Sequence, residues 1–249
     1  MRDPLIFVHG VSHGGWCWEE HFAPFFRKQG YDCYSLNLEG HETPGSKKSI
    51  NHISLADYVR NIEEAAAKLG RPPILIGHSM GGLVVQKYLE NASCKKVILV
   101  APIPPMGSWK ASLRFAYHHP NGLLDLMRLN LYAAFYKNAH ALMYSADMEV
   151  SLLESYKEKM CAESFKAYLQ TLFPRIRMKR QKETPMLVIG AGNDHIFTVK
   201  EIEETGRFYE AETVIFENMA HNLMLEKGHE QVADYILRWL EKSLVENEG

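Results

Sequence analysis

The stretch Gly77-His78-Ser79-Met80-Gly81 leaves this chain few ways to fold. Ahead of it runs Pro73-Ile74-Leu75-Ile76, short, apolar and opened by paired prolines. Behind it, from Gly82 to Leu89, apolar residues recur at helical spacing. Strand, tight turn and helix follow one another, and the serine stands on the turn. That is G-x-S-x-G in the context the motif requires. The reason is steric. So sharp a turn strains the serine backbone, and the residues two positions either side must be small. Gly77 and Gly81 meet that need, and Gly82 lets the helix approach the sheet. A serine hydroxyl is then held above the C-terminal edge of a sheet, at a helix N-terminus where N–H groups favour negative charge. A glycine-rich turn with an incidental serine is the plainer reading, and partners elsewhere in the chain must decide.

Short apolar runs at residues 5–8, 33–38, 73–76, 96–100, 186–190 and 213–216 read as strands. Helical patterns lie between them at residues 19–29, 55–69, 82–89 and 199–208, and a closing amphipathic helix covers 230–244. Ser54 caps the second, with Asp57 as an approximate capping box. Strands alternating with helices imply parallel βαβ units, hence an α/β fold with a doubly wound, mostly parallel six-stranded sheet. From Ile103 the rhythm changes. Residues 103–182 hold helical patches and no convincing strand, so they read as a helical cap inserted between the core segments 1–102 and 183–249. The cap is rich in methionine, which suits an adaptable apolar pocket. A basic cluster, Arg175, Arg177, Lys179, Arg180 and Lys182, reads as a solvated hinge where the cap rejoins the core.

The net charge of −2 makes no electrostatic case for nucleic acid or an anionic membrane. No apolar run is long enough to span a bilayer, and no signal peptide precedes the first strand. Cys17, Cys33, Cys94 and Cys161 form no metal-binding spacing and suggest free thiols. A cytoplasmic monomer or homodimer is the expectation.

A serine hydroxyl needs a base, and the base needs an orienting acid. Among twelve histidines, position chooses. In a doubly wound sheet, functional groups gather at strand C-termini. His221 follows the last strand and Asp194 the one before it, giving the order Ser79, Asp194, His221. Each alone has an ordinary reading, Asp194 as a turn aspartate and His221 as a helix-entry histidine; their coincidence at strand ends is what argues for a triad. His195 sits at the wrong strand end for a base, and His229 at the last helix. The oxyanion of a tetrahedral intermediate needs two backbone N–H donors. Met80, after the nucleophile, and Val11, past the His9-Gly10 loop, stand where the motif puts them.

These residues resemble the α/β-hydrolase superfamily along the whole chain. The run from Val8 to Trp18 is also similar to the start of plant methylesterases and hydroxynitrile lyases. The resemblance implies carboxylic-ester hydrolysis of a small-molecule substrate without a cofactor or metal, and a core lacking the superfamily's first two strands. The lyases place threonine and lysine where this chain has Val11 and Asn222, so cyanohydrin cleavage is not expected. Dehalogenases and epoxide hydrolases use an aspartate where this chain has Ser79. The expected function is cleavage of a small to medium ester through an acyl-enzyme. A thioester, amide or C–C bond hydrolase with the same triad, and a ligand-binding receptor on the same fold, are the alternatives.

Overall fold

The computed structural model describes residues 2–177 and 184–245. Its centre is a six-stranded sheet in the order β2-β1-β3-β4-β5-β6. The strands are β1 (Leu5–Val8), β2 (Cys33–Leu36), β3 (Ile74–His78), β4 (Lys96–Val100), β5 (Met186–Ala191) and β6 (Glu212–Phe216). Every pairing is parallel. Parallel strands need crossover helices, which cover both faces, so β1, β3 and most of β4 are buried on both sides. Leu5 and Phe7 face one core with Trp18, Phe22 and Ile236; Ile6 and Val8 face the other with Leu83, Val84 and Ile202.

Helices α3 (Leu55–Leu69), α4 (Met80–Tyr88), α10 (Val199–Tyr209) and α11 (His229–Val245) serve as the crossovers and the closing helix. Ser54 caps α3 with the full reciprocal capping box to Asp57, and Gly70 ends it at φ 65°. Near the N-terminus the expected helix over 19–29 is instead two, α1 (Trp16–Glu19) and α2 (Phe22–Lys28). Pro24 explains the break. In a continuous helix its ring would meet the Glu20 carbonyl and leave that carbonyl without a donor. The first helix forms inside what the sequence reads as loop, because Trp18 is fully buried with its ring 5.1 Å from that of Phe7.

Between β4 and β5 the described residues hold helices only: α5 (Trp109–His118), α6 (Pro120–Met127), α7 (Leu131–Met143), α8 (Val150–Glu158) and α9 (Phe165–Leu172). The sequence reading misses α5, which buries Ala111 and Phe115 and leaves Leu113 and Tyr117 exposed. The expected boundary at 182/183, and Lys179, Arg180 and Lys182 of the basic cluster, lie outside the described residues, as does the cap residue Met178. Arg175 and Arg177 are exposed. Among the described residues no helix is long and apolar enough to cross a membrane.

The elbow glycines are fixed by contact. A Cβ on Gly81 would stand 2.4 Å from the carbonyl oxygens of Val8 and His9, and one on Gly77 2.7 Å from the Gly81 carbonyl. Backbone cannot yield as a side-chain tip can. Gly81→Ala is therefore expected to cost more than the roughly 1–3 kcal/mol typical of overpacking, read as a lower midpoint of urea unfolding. An unchanged midpoint would contradict the packing.

Candidate active site

Four loops meet at the C-terminal edge of the sheet, as its topology directs. Ser79 closes β3 and precedes α4, at φ 52° and ψ −118°. For a serine this is the strained left-handed side of conformational space. Neighbours hold it there: its N–H donates to the Val100 carbonyl at 3.0 Å, and its carbonyl accepts from Ile103 N–H at 3.1 Å and Leu83 N–H at 3.3 Å. Gly10 lies against the turn; a Cβ there would come within 2.9 Å of the Ser79 Cβ.

Asp194 and His221 come from the loops after β5 and β6. Those loops are tied by backbone bonds, Gly192 N–H to Phe216 carbonyl at 3.0 Å and Asn193 N–H to Met219 carbonyl at 2.9 Å. Gly192 permits the approach, since a Cβ would meet the Glu217 carbonyl at 2.4 Å. The His221 Nδ1 is 2.8 Å from Asp194 Oδ2, with side chains 2% and 0% exposed. A carboxylate only accepts, so Nδ1 carries the proton and Nε2 is left as the acceptor. Asp194 is itself anchored: Oδ1 accepts from Ile196 N–H at 2.7 Å and Phe197 N–H at 3.0 Å. From behind, His78 Nε2–H donates to the His221 carbonyl at 3.0 Å.

Ser79 and His221 both line one cavity of about 690 Å³, its mouth included. Among the described residues no hydrogen bond joins the Ser79 hydroxyl to His221, whose ring bond goes to Asp194. Catalytic hydrogen bonds in empty sites are often long and tighten on the substrate complex. Val11 lines the same cavity, and Met80 opens α4, where the first N–H groups lack helical partners. The amides beside them are engaged, Ser79 N–H on Val100 and Ser12 N–H on Glu163. The structure thus gathers Ser79, Asp194, His221, Val11 and Met80 at one rim. The insertion contributes Phe115, Phe135, Leu142 and Tyr168 to the cavity walls. Of its methionines Met143 lines the cavity, while Met106 and Met127 are exposed and Met148 and Met160 pack in the core. His195 reaches the cavity; His229 stacks on His21 instead.

A set of buried imidazoles surrounds the site, and sequence reading assigns them no role. His9 donates through Nδ1–H to the Gly10 carbonyl at 2.9 Å and accepts Leu38 N–H on Nε2 at 3.1 Å. His13 donates to the Val11 carbonyl at 2.8 Å and accepts from the Asn222 amide at 3.2 Å. Burial pushes His9 down to about 3 and His13 down to about 4, and holds His78 well below the usual range. Neutral rings serve here as rigid spacers, each fixing a loop.

The sequence model of the Alpha/beta hydrolase family matches residues 5–235. The chain belongs to that family. Among curated relatives it is similar to the "Probable esterase PIR7A" of Oryza sativa subsp. indica, 32% identical over 115 residues, covering 41% of this chain and 40% of that protein. It is also similar to a "Pyrethroid hydrolase" of Sphingobium wenxiniae, 31% identical over 87 residues, covering 35% of this chain and 30% of that protein. The match to the first of these relatives thus spans about two fifths of that protein's length. Among solved structures, an esterase from Exiguobacterium antarcticum aligns at TM-score 0.74 with 15% identity, over 96% of this chain and 92% of that one. Polyneuridine aldehyde esterase aligns at 0.67 with 16% identity, over 96% and 99%. At these identities the structures speak for the α/β-hydrolase fold alone.

The histidines set a pH dependence. Unfolded, His9, His13 and His78 take up protons near pH 6.5; folded, they do not until far lower. The unfolded state then binds more protons, so stability falls as pH drops below 6.5, by up to ~1.4 kcal/mol per pH unit for each ring. Urea midpoints measured at pH 7.5, 6 and 5 should decline steadily. A flat series would contradict the neutral assignment.

Proposed function

We propose that this α/β hydrolase is a serine hydrolase that cleaves small to medium carboxylic esters through an acyl-enzyme. The observation that carries the reading is the buried His221–Asp194 pair at 2.8 Å, which opens on the cavity that holds Ser79 at its strained turn. The names of the curated relatives, an esterase and a pyrethroid hydrolase, support it.

In this reading Ser79 Oγ bonds to the ester carbonyl carbon, and its proton passes to His221 Nε2. The carbonyl oxygen becomes an oxyanion held by the N–H groups of Val11 and Met80. The intermediate collapses as His221 returns the proton to the departing alkoxide, releasing the alcohol. Water, deprotonated by the same ring, then attacks the acyl-enzyme; the Ser79 Oγ–acyl bond breaks as His221 returns that proton to Oγ, freeing the acid. Asp194 holds the tautomer and stabilises the imidazolium. The mechanism calls on no cofactor. Of the expected 103–182 insertion, the described residues 103–177 act as the cap that walls the acyl site. We place the protein in a reducing compartment, where its free cysteines persist.

Ser79→Ala should lower kcat on chromogenic esters by roughly 10⁴–10⁶-fold and Asp194→Asn by about 10⁴-fold. Wild-type turnover in Ser79→Ala would refute the reading. The aromatic and aliphatic walls favour acyl groups with apolar bulk. Each added methylene that is buried contributes up to ~0.8 kcal/mol, so kcat/KM should rise by up to about fourfold per carbon from acetate to hexanoate esters. A flat or inverted profile would count against it.

A further inference from the structure

Glu163 lies in the insertion, just before the Ser164 cap of α9, and its carboxylate is wholly enclosed. Such a group is costly to bury unless it is paired and bonded. Here it accepts four hydrogen bonds. Oε1 takes Tyr58 Oη–H at 2.7 Å and Ser164 N–H at 2.8 Å; Oε2 takes Ser12 N–H at 3.1 Å and His41 Nε2–H at 3.2 Å. Burial opposes charge on both His41 and Glu163, yet each outweighs that for the other: His41 is raised and Glu163 lowered from the usual range. Both directions favour the charged forms of the pair.

Ser12, the residue this carboxylate grips, follows Val11. His13 N–H bonds to the Gly10 carbonyl at 3.3 Å, closing a turn with Val11 and Ser12 at its centre. Ser12 sits at φ 59°, where such a turn normally carries glycine or asparagine. For serine, with its Cβ, that conformation is strained. It persists because the insertion holds both backbone groups: Glu163 takes the N–H, and Cys161 N–H donates to the carbonyl at 2.8 Å. Rotating the Val11–Ser12 peptide would cost the buried carboxylate its Ser12 N–H donor. The Val11 N–H lies in the neighbouring Gly10–Val11 peptide; the two planes meet at the Val11 Cα inside one turn, so clamping the Ser12 side restrains the Val11 side.

We infer that Glu163 is a positioning residue: through the Ser12 amide it holds the Val11 N–H on the developing oxyanion, so that the helical insertion completes the oxyanion site. This rests on the reading of Val11 as an oxyanion donor. The insertion thereby has a part in the chemical step as well as in the walls.

Glu163→Gln keeps the shape but cannot accept four hydrogen bonds. On the best ester, kcat should fall about 10- to 100-fold, short of the loss from deleting a donor outright, with KM within about twofold. Tyr58→Phe, which leaves the carboxylate and His41 in place, should give a smaller loss in the same parameter. A trifluoromethyl ketone matched to that ester forms a tetrahedral oxyanion on Ser79. Across wild type and both variants its affinity should fall in proportion to kcat/KM, while the matching trigonal amide binds unchanged. A structural role alone would weaken both ligands together. Two results would overturn the inference while the site reading stands: Glu163→Gln turning over at the wild-type rate, or tetrahedral and trigonal ligands losing affinity equally. If Glu163→Gln does not fold, the Tyr58→Phe ratio decides in the same way. Ester turnover that survives Ser79→Ala would remove the site reading, and this inference with it.

Discussion

The contact between the Gly77–Gly81 turn and the end of β1 is the constraint on which the site depends. Gly81 has no room for a methyl group against the Val8 and His9 carbonyls, and Gly77 has none against the Gly81 carbonyl. That packing accompanies the positive φ of Ser79 and stands its side chain beside the Gly10 loop, with Met80 opening α4 next to it and Val11 on the cavity wall. The energy stored in the turn is small, of order 1–3 kcal/mol, and the hydrogen bonds to Val100, Ile103 and Leu83 are enough to hold it. Strain here is a consequence of packing and keeps the hydroxyl presented without a substrate.

Around that contact the protein avoids water. His9, His13 and His78 are buried and neutral, and each ties a loop through its ring nitrogens. Charge is allowed where it is paired, as in His41 with Glu163. A low-dielectric wall of neutral rings strengthens the few charges and dipoles that remain at the cavity. The arrangement also links parts that no strand connects. Asn222 joins His13 across the site, and Asn222 N–H donates to Met143 in the insertion at 3.0 Å.

Much of the fold is legible because parallel strands buried on both faces must be short and apolar, as Leu5–Val8 and residues 97–100 of β4 are. The elbow is legible because its glycines obey a steric rule. Asp194 and His221 could be placed by counting strand ends. The helix break at Pro24 was readable in principle from the proline alone. Other features leave no local trace. Trp16–Glu19 is helical because Trp18 finds Phe7 in the core, and α5 turns Ala111 and Phe115 onto the site. Glu163 carries no motif; it is one acidic residue among many until the chain brings Ser12, His41 and Tyr58 around it.

The sequence by itself determined the alternation of strand and helix, the turn that presents Ser79, and the placement of Asp194 and His221 after the last two strands. These follow from interactions between residues close in the chain, or from a topology in which every crossover has one permitted hand. Only the tertiary structure decided which histidines stay neutral, which carboxylate is buried as an ion, and what holds Ser12 in its strained turn. Those outcomes depend on desolvation and on hydrogen-bond partners separated by up to 209 residues, and neither quantity exists until the chain has closed around them.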